Sequence, residues 1–383
     1  MALPKILNVV GARPNFMKIG PLLDEMKRHR EIEASLINTG QHYDQVMAET
    51  FFQQLGLPVP DMNLEVGSAS HAQQTAQIML RFEPLLLQNK PDLVLVAGDV
   101  NSTIACALVA AKLGIKVAHV EAGLRSFDRT MPEEINRILT DSISDFLFTT
   151  EISGNENLLR EGISPEKIFF VGNVMIDTLN RHKEKAQQSP IINQLGLTTP
   201  YALLTLHRPS NVDNRNNLAE LLATLQEVSR RIPLIFPVHP RTAKQIAGFG
   251  FGEMLHEIDL NRPKIANGIN ILPPLGYLEF LCLMSKARLI LTDSGGIQEE
   301  STVLQVPCLT LRENTERPVT VIAGTNTLVG GDREKILTHT AAILAGAYKK
   351  GRLPEKWDGQ AAQRIVKVLK VAQTFRSATG YRV

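Results

Sequence analysis

The chain has 383 residues, enough for two domains of ordinary size. Its 41 Lys and Arg against 39 Asp and Glu leave a formal charge of +2, which argues against a broad electrostatic surface for nucleic acid or membrane. Three widely spaced cysteines, Cys106, Cys282 and Cys308, lie in apolar runs away from histidine. That pattern argues against a disulfide framework or a zinc site, and predicts buried thiols in a cytoplasmic protein.

The first apolar run, Ile6–Val10, is too short for a signal peptide core and enters a Gly-Ala-Arg-Pro turn. No later run is long enough to cross a bilayer as a helix. Strands are predicted at Ile6–Val10, Ala34–Asn38, Leu93–Ala97, Lys116–Val120, Phe146–Thr149 and Ile168–Val171. Amphipathic helices are predicted between several of them, at Phe16–His29, Ser102–Leu113 and Pro132–Ser144. Apolar strands alternating with helices predict an α/β protein with parallel sheets covered on both faces.

The polar stretch Arg181–Pro200 reads as the start of a second domain near the linker. Strands then resume at Tyr201–Leu206, Leu234–Val238, Ile269–Leu272, Leu289–Thr292 and Cys308–Leu311. Helices are expected at Asn216–Arg230, Leu278–Ser285 and Ile297–Val303, and Gly248–Gly252 reads as a flexible loop. The expected domains are residues 1–180 and 181–359, with a terminal helix within 360–383 packing back on the first.

Ligands of such sheets bind beyond the strand C-termini. The residues there are polar: Arg13, Asp99, Glu121, His207, Arg208, His239 and Ser294. Arg13 either forks onto a phosphate or pairs with a carboxylate, and Lys18 adds a point charge one turn into the helix. Asp99 and Glu121 end neighbouring strands, where a buried carboxylate is either paired or functional. Glu133 either stabilises its helix dipole or joins them as a third acid. Acids on opposite sides of one carbon suit proton removal and return, as in an epimerase.

His207 and His239 either meet a phosphate or leaving group, or are held structurally beside proline turns. Arg317 either neutralises a diphosphate or makes a surface ion pair. The run Asp293-Ser294-Gly295-Gly296-Ile-Gln-Glu299-Glu300 reads as a strand end, a two-glycine turn and a helix start. Its N-terminus suits a phosphate and its acids suit sugar hydroxyls, or else Asp293 or Ser294 is simply a cap. Neither G-x-G-x-x-G opening a βαβ unit nor G-x-x-x-x-G-K-[ST] occurs, which argues against a dinucleotide cofactor or a P-loop.

Taken in order, these motifs resemble the non-hydrolysing UDP-N-acetylglucosamine 2-epimerases. The matching pieces are Gly-Ala-Arg13-Pro, Gly-Asp99, His119-Val-Glu121-Ala-Gly-Leu-Arg125, Pro-Glu133-Glu134-Ile-Asn-Arg137, Gly172-Asn173, His207-Arg208, Pro-Val-His239, Asp293 to Glu300 and Thr315-Glu316-Arg317-Pro318. The resemblance implies two Rossmann-like domains facing across a cleft (GT-B type), no cofactor, no metal and a homodimer. It implies reversible C2 epimerisation of UDP-N-acetylglucosamine to UDP-N-acetylmannosamine by UDP elimination and re-addition through 2-acetamidoglucal, supplying ManNAc-type sugars for cell-surface polysaccharide.

By the same match, Asp99, Glu121, Glu133 and His207 are catalytic. Arg13, Lys18, Arg137, His239, Ser294, Gly295, Gly296, Glu300 and Arg317 bind the UDP-sugar, with Glu300 on the ribose. A hydrolysing epimerase, a GT-B glycosyltransferase and a nucleotide-sugar-binding regulator share parts of this pattern. Asn15, Tyr43-Asp44 and His207-Arg208-Pro209-Ser210 depart from the family's usual residues. The last two departures imply lost or altered activation by the substrate.

Overall fold

The computed structural model describes residues 4–41, 55–259 and 263–371. The chain divides into two compact units, one of Met1–Asn180 with Glu355–Val383, the other of Arg181–Pro354. Each unit is built on a parallel sheet of seven strands with helices packed on it, the expected α/β class with Rossmann-like halves.

The first sheet holds β1 (Lys5–Val10), β2 (Glu33–Asn38), β3 (Met62–Asn63), β4 (Leu93–Ala97), β5 (Lys116–Ala122), β6 (Phe146–Thr149) and β7 (Ile168–Phe170), in the order β3-β2-β1-β4-β5-β6-β7. All five residues of β4 are buried, as a central parallel strand requires. The second sheet holds β8 (Ala202–Thr205), β9 (Leu234–Pro237), β10 (His256–Glu257), β11 (Ile269–Leu272), β12 (Leu289–Thr292), β13 (Cys308–Thr310) and β14 (Asn326–Leu328). Its order is β10-β11-β9-β8-β12-β13-β14. Strand order reverses between β1 and β4 in one sheet and between β8 and β12 in the other. Those switch points open a crevice at the strand C-termini, and Arg13, Asp99, His207, Arg208 and Ser294 follow these strands.

Several expectations need correction. Glu121 does not follow its strand. β5 runs on through Ala122, and its register against β6 shifts between Val120 and Ala122, so Glu121 occupies a bulge. Gly295 and Gly296 form no turn; they begin the helix Gly295–Leu304. Gly248–Gly252 is no flexible loop. The helix Pro240–Phe249 runs into it and ends on Gly250 at φ 77°, and a 3-10 turn follows at Gly252–Met254. Most of the polar Arg181–Pro200 stretch is helical. His182, Ala186, Ile191 and Leu195 are buried from it while its charges face outward.

The terminal helix Ala361–Val371 packs against the helix Arg13–Lys27, with Lys370 paired to Glu31 at 2.5 Å. The buried Trp357 donates to the Thr150 carbonyl at 2.9 Å and ties the returning chain to the end of β6. No helix among the described residues is long and apolar enough to cross a membrane.

Candidate active site

In the first unit Lys18 passes beside Gly98, just after the end of β4. Gly98 has φ +69°, and a Cβ there would lie 2.8 Å from Lys18 Nζ, so only glycine lets the lysine pass. Lys18 Nζ meets Glu121 Oε2 at 2.6 Å, both side chains almost fully buried. Glu121 has φ +74°, a left-handed conformation that costs a non-glycine residue about 1–3 kcal/mol and persists only where the surroundings impose it. Here the bulge and the buried lysine impose it.

Asp99 is next in chain. Its carboxylate pairs with Arg137, and its carbonyl accepts from Asn136 Nδ2 at 2.9 Å. Arg137 Nε and Nη2 also grip Glu134, at 2.9 and 2.7 Å. The Glu134 carboxylate in turn accepts the Ser126 and Phe127 amides at 3.0 and 2.8 Å. Glu133 stands at the start of the same helix, half-buried, with no hydrogen bond or ion pair among the described residues. Asn15 Oδ1 accepts the Gly11 and Ala12 amides at 3.2 and 2.9 Å, and Nδ2 donates to the Ala97 carbonyl at 2.8 Å. An amide does both jobs; a carboxylate lacks the donor. The Arg13 side chain, Tyr43 and Asp44 lie outside what is described.

Beneath this layer lies a buried relay that the sequence reading left out of the site. His119 Nδ1 meets Asp141 Oδ1 at 2.6 Å, and Nε2 meets the Gly98 carbonyl at 2.8 Å. Asp141 Oδ2 accepts the Gly123 amide at 3.0 Å and pairs with Arg125 at 2.7 Å. Burial opposes the charge on Asp141, but His119 and Arg125 outweigh it and hold the carboxyl below its usual range. Glu161 completes the chain, paired to Arg125 at 2.6 Å. A signal did exist. Glu134, Arg137 and Asp141 are spaced along one helix face, where an ordinary amphipathic helix would bury apolar residues.

In the second unit Asp293 is the anchor. It is fully buried and accepts the His207 and Arg208 amides at about 3 Å, Asn211 Nδ2 at 3.2 Å and His207 Nδ1 at 2.8 Å. Burial pushes its carboxyl up, yet these donors hold it below the usual range. The sequence reading took Asp293 as a possible helix cap; it orients His207 instead. Ser294 makes no side-chain cap for the helix Gly295–Leu304, leaving its first amides to an anion.

His239 Nδ1 accepts the Arg241 amide at 3.2 Å, so its proton sits on Nε2; its ring centroid lies 5.9 Å from that of His207. Arg317 is no surface ion pair. It is buried, with Nε 2.7 Å from Glu299 and Nη1 on Glu316. A Cβ on Gly295 would lie 2.6 Å from Arg317 Nη1, so that glycine makes room for the guanidinium. Glu300 is buried and accepts the Tyr277 hydroxyl at 2.8 Å. Among the described residues, no group of three His, Cys, Asp or Glu is placed to hold a metal ion.

In the first unit Lys18 thus pairs with Glu121 and Arg137 with Asp99, and Glu133 begins the helix that carries Arg137. The other unit holds His207, His239, Ser294, Gly295, Gly296, Glu300 and Arg317. A family model described as UDP-N-acetylglucosamine 2-epimerase matches residues 24–370. The UDP-N-acetylglucosamine 2-epimerase of Methanocaldococcus jannaschii is 44% identical over 372 residues, covering 95% of this chain and 98% of that relative. The UDP-2,3-diacetamido-2,3-dideoxy-D-glucuronate 2-epimerase of Pseudomonas aeruginosa is 39% identical over 369 residues, covering 95% and 99%.

The crystal structure of the M. jannaschii enzyme in complex with UDP-GlcNAc and UDP matches with a TM-score of 0.86 at 43% identity, covering 96% of this chain and 99% of that one. That of the Neisseria meningitidis enzyme bound to UDP-GlcNAc matches at 0.84 and 31%, covering 96% and 100%. This chain belongs to the UDP-N-acetylglucosamine 2-epimerase family.

Proposed function

We propose that the chain interconverts UDP-N-acetylglucosamine and UDP-N-acetylmannosamine by a non-hydrolysing route. A carboxylate takes the C2 proton as the bond from C1 to the UDP oxygen breaks, giving 2-acetamidoglucal and UDP. A proton then reaches C2 from the opposite face while the UDP oxygen re-adds to C1. Water is not consumed. Asp99, Glu121 and Glu133 carry the proton transfers, with Lys18 and Arg137 placing the first two.

His207, Arg317, Arg13 and the amides after Ser294 stabilise the charge on the departing diphosphate. His239 assists there, and Glu300 holds the ribose. The product would feed cell-surface polysaccharide synthesis, and the working unit is a homodimer. The observation that carries this reading is the strained, buried Glu121 clamped by Lys18 beside Asp99 on Arg137. A bare structural role explains neither the strain nor the two cation-gripped acids at the C-terminal ends of two neighbouring strands.

Incubation with UDP-GlcNAc in deuterated water, followed by NMR, tests it. UDP-ManNAc carrying deuterium at C2 is expected. Free ManNAc with UDP as the main early product would overturn the non-hydrolysing route, and epimerisation without C2 exchange would overturn the proton chemistry.

A further inference from the structure

Tyr277 is absent from every motif discussed so far, yet its hydroxyl touches Glu300. It opens the helix Tyr277–Lys286, and its hydroxyl reaches Glu300 Oε1 at 2.8 Å. The phenol has one proton and a carboxylate only accepts, so the direction of this bond is fixed. Burial, followed by the Glu300 charge, pushes the phenol well above its ordinary range and keeps that proton in place. The ring is only 4% exposed, and the buried His182 sits edge-on to it with centroids 6.0 Å apart. The hydroxyl therefore hangs from a ring locked by packing, on the helix next to the one that carries Glu300.

We infer that Tyr277 is a positioning residue for nucleotide recognition. Its hydroxyl fixes the plane of the Glu300 carboxylate so that the carboxylate accepts both vicinal hydroxyls of a ribose. A carboxylate free to rotate would meet one hydroxyl at a time. Held from Oε1, it presents a fixed pair of oxygens to a diol, and a ribonucleoside diphosphate is then favoured over a deoxy analogue. This inference rests on the proposed contact of Glu300 with the ribose.

Calorimetric titration of the full chain with UDP and with 2′,3′-dideoxy-UDP tests it, using wild type, Tyr277→Phe and Glu300→Ala. Wild type is expected to prefer UDP by at least about 100-fold, from two hydrogen bonds to a charged acceptor. Glu300→Ala should erase most of that preference. Tyr277→Phe should lower it about tenfold by weakening UDP alone, and should raise KM for the UDP-sugar with kcat within about twofold.

A preference that survives Glu300→Ala, or a wild type without one, overturns the Glu300 contact and the inference with it. A preference lost in Glu300→Ala but intact in Tyr277→Phe overturns the positioning role alone. Equal weakening of both ligands in Tyr277→Phe means a merely structural tyrosine and also overturns it.

Discussion

Glu121 concentrates the tension of this molecule in one residue. A carboxylate in left-handed backbone, almost without solvent, loses both conformational and solvation energy. Lys18 offsets part of that loss at 2.6 Å. Removing only one member of such a pair leaves a buried charge uncompensated, at a cost of about 3–5 kcal/mol. Lys18→Met should therefore destabilise the chain by about 3 kcal/mol in urea unfolding. Adding Glu121→Gln to it should restore part of the loss; additive losses would show that the two residues do not share an energy term.

The sequence made both residues visible, Lys18 one turn into the first helix and Glu121 at a strand end. It did not show them in contact. That contact depends on the space above Gly98 and on a bulge, and neither leaves a periodic trace. The alternative of Asp293 as a helix cap fails for a related reason. A strand-end acid before a helix looks like a cap until its long-range donors, His207, Arg208 and Asn211, are placed around it.

At the scale of elements, buried parallel strands are legible because they read as short, largely apolar runs. Hence β4, β6, β11 and β12 fall where the sequence puts them. Short edge strands such as β3 and β10 carry two residues each and no such signal. The helix Val174–Gln187 carries a polar C-terminal stretch in which His182 and Ala186 are buried. His182 is buried, and that burial, followed by the charges of Arg181 and Lys185, lowers its pKa to about 4.

An unfolded histidine titrates near 6.5, so between about 6.5 and 4 the unfolded chain binds more protons than the folded one. Stability from this residue is complete above pH 6.5 and falls as pH drops toward 4. Asp177 runs the other way: burial, against the Ala362 and Ala361 amides, raises it to about 6, so its protonation favours the fold. The difference between variant and wild type separates the two. Between pH 7.5 and 4.5, His182→Phe should gain about 2 kcal/mol on wild type in unfolding free energy. Parallel pH curves would mean that His182 is protonated without penalty.

For the whole molecule, the two sheets repeat one device. In each the strand order reverses beside its first strand, and Asp99, His207 and Ser294 follow the strands at that reversal. The fully buried residues of the helix Pro132–Ile143 are all polar: Glu134, Asn136, Arg137, Thr140 and Asp141, and all but Thr140 bond within the site or its supporting network. On its other side Ile135 and Leu139 stand 47% and 48% exposed, one turn apart.

The helix Asn101–Lys112 packs between this helix and His71–Asn89, whose Leu80 and Leu87 are likewise exposed. A helix that spends its inner face on charge leaves its greasy face unburied, and a second copy of the chain is the occupant proposed for it. An isologous contact would bury both stripes at once. Light scattering should then report twice the chain mass for the wild type and the single mass for Ile135→Lys with Leu139→Lys, at unchanged helix content. A wild type that runs at the single mass at micromolar concentration, or a double variant that stays paired, would remove this face from the assembly.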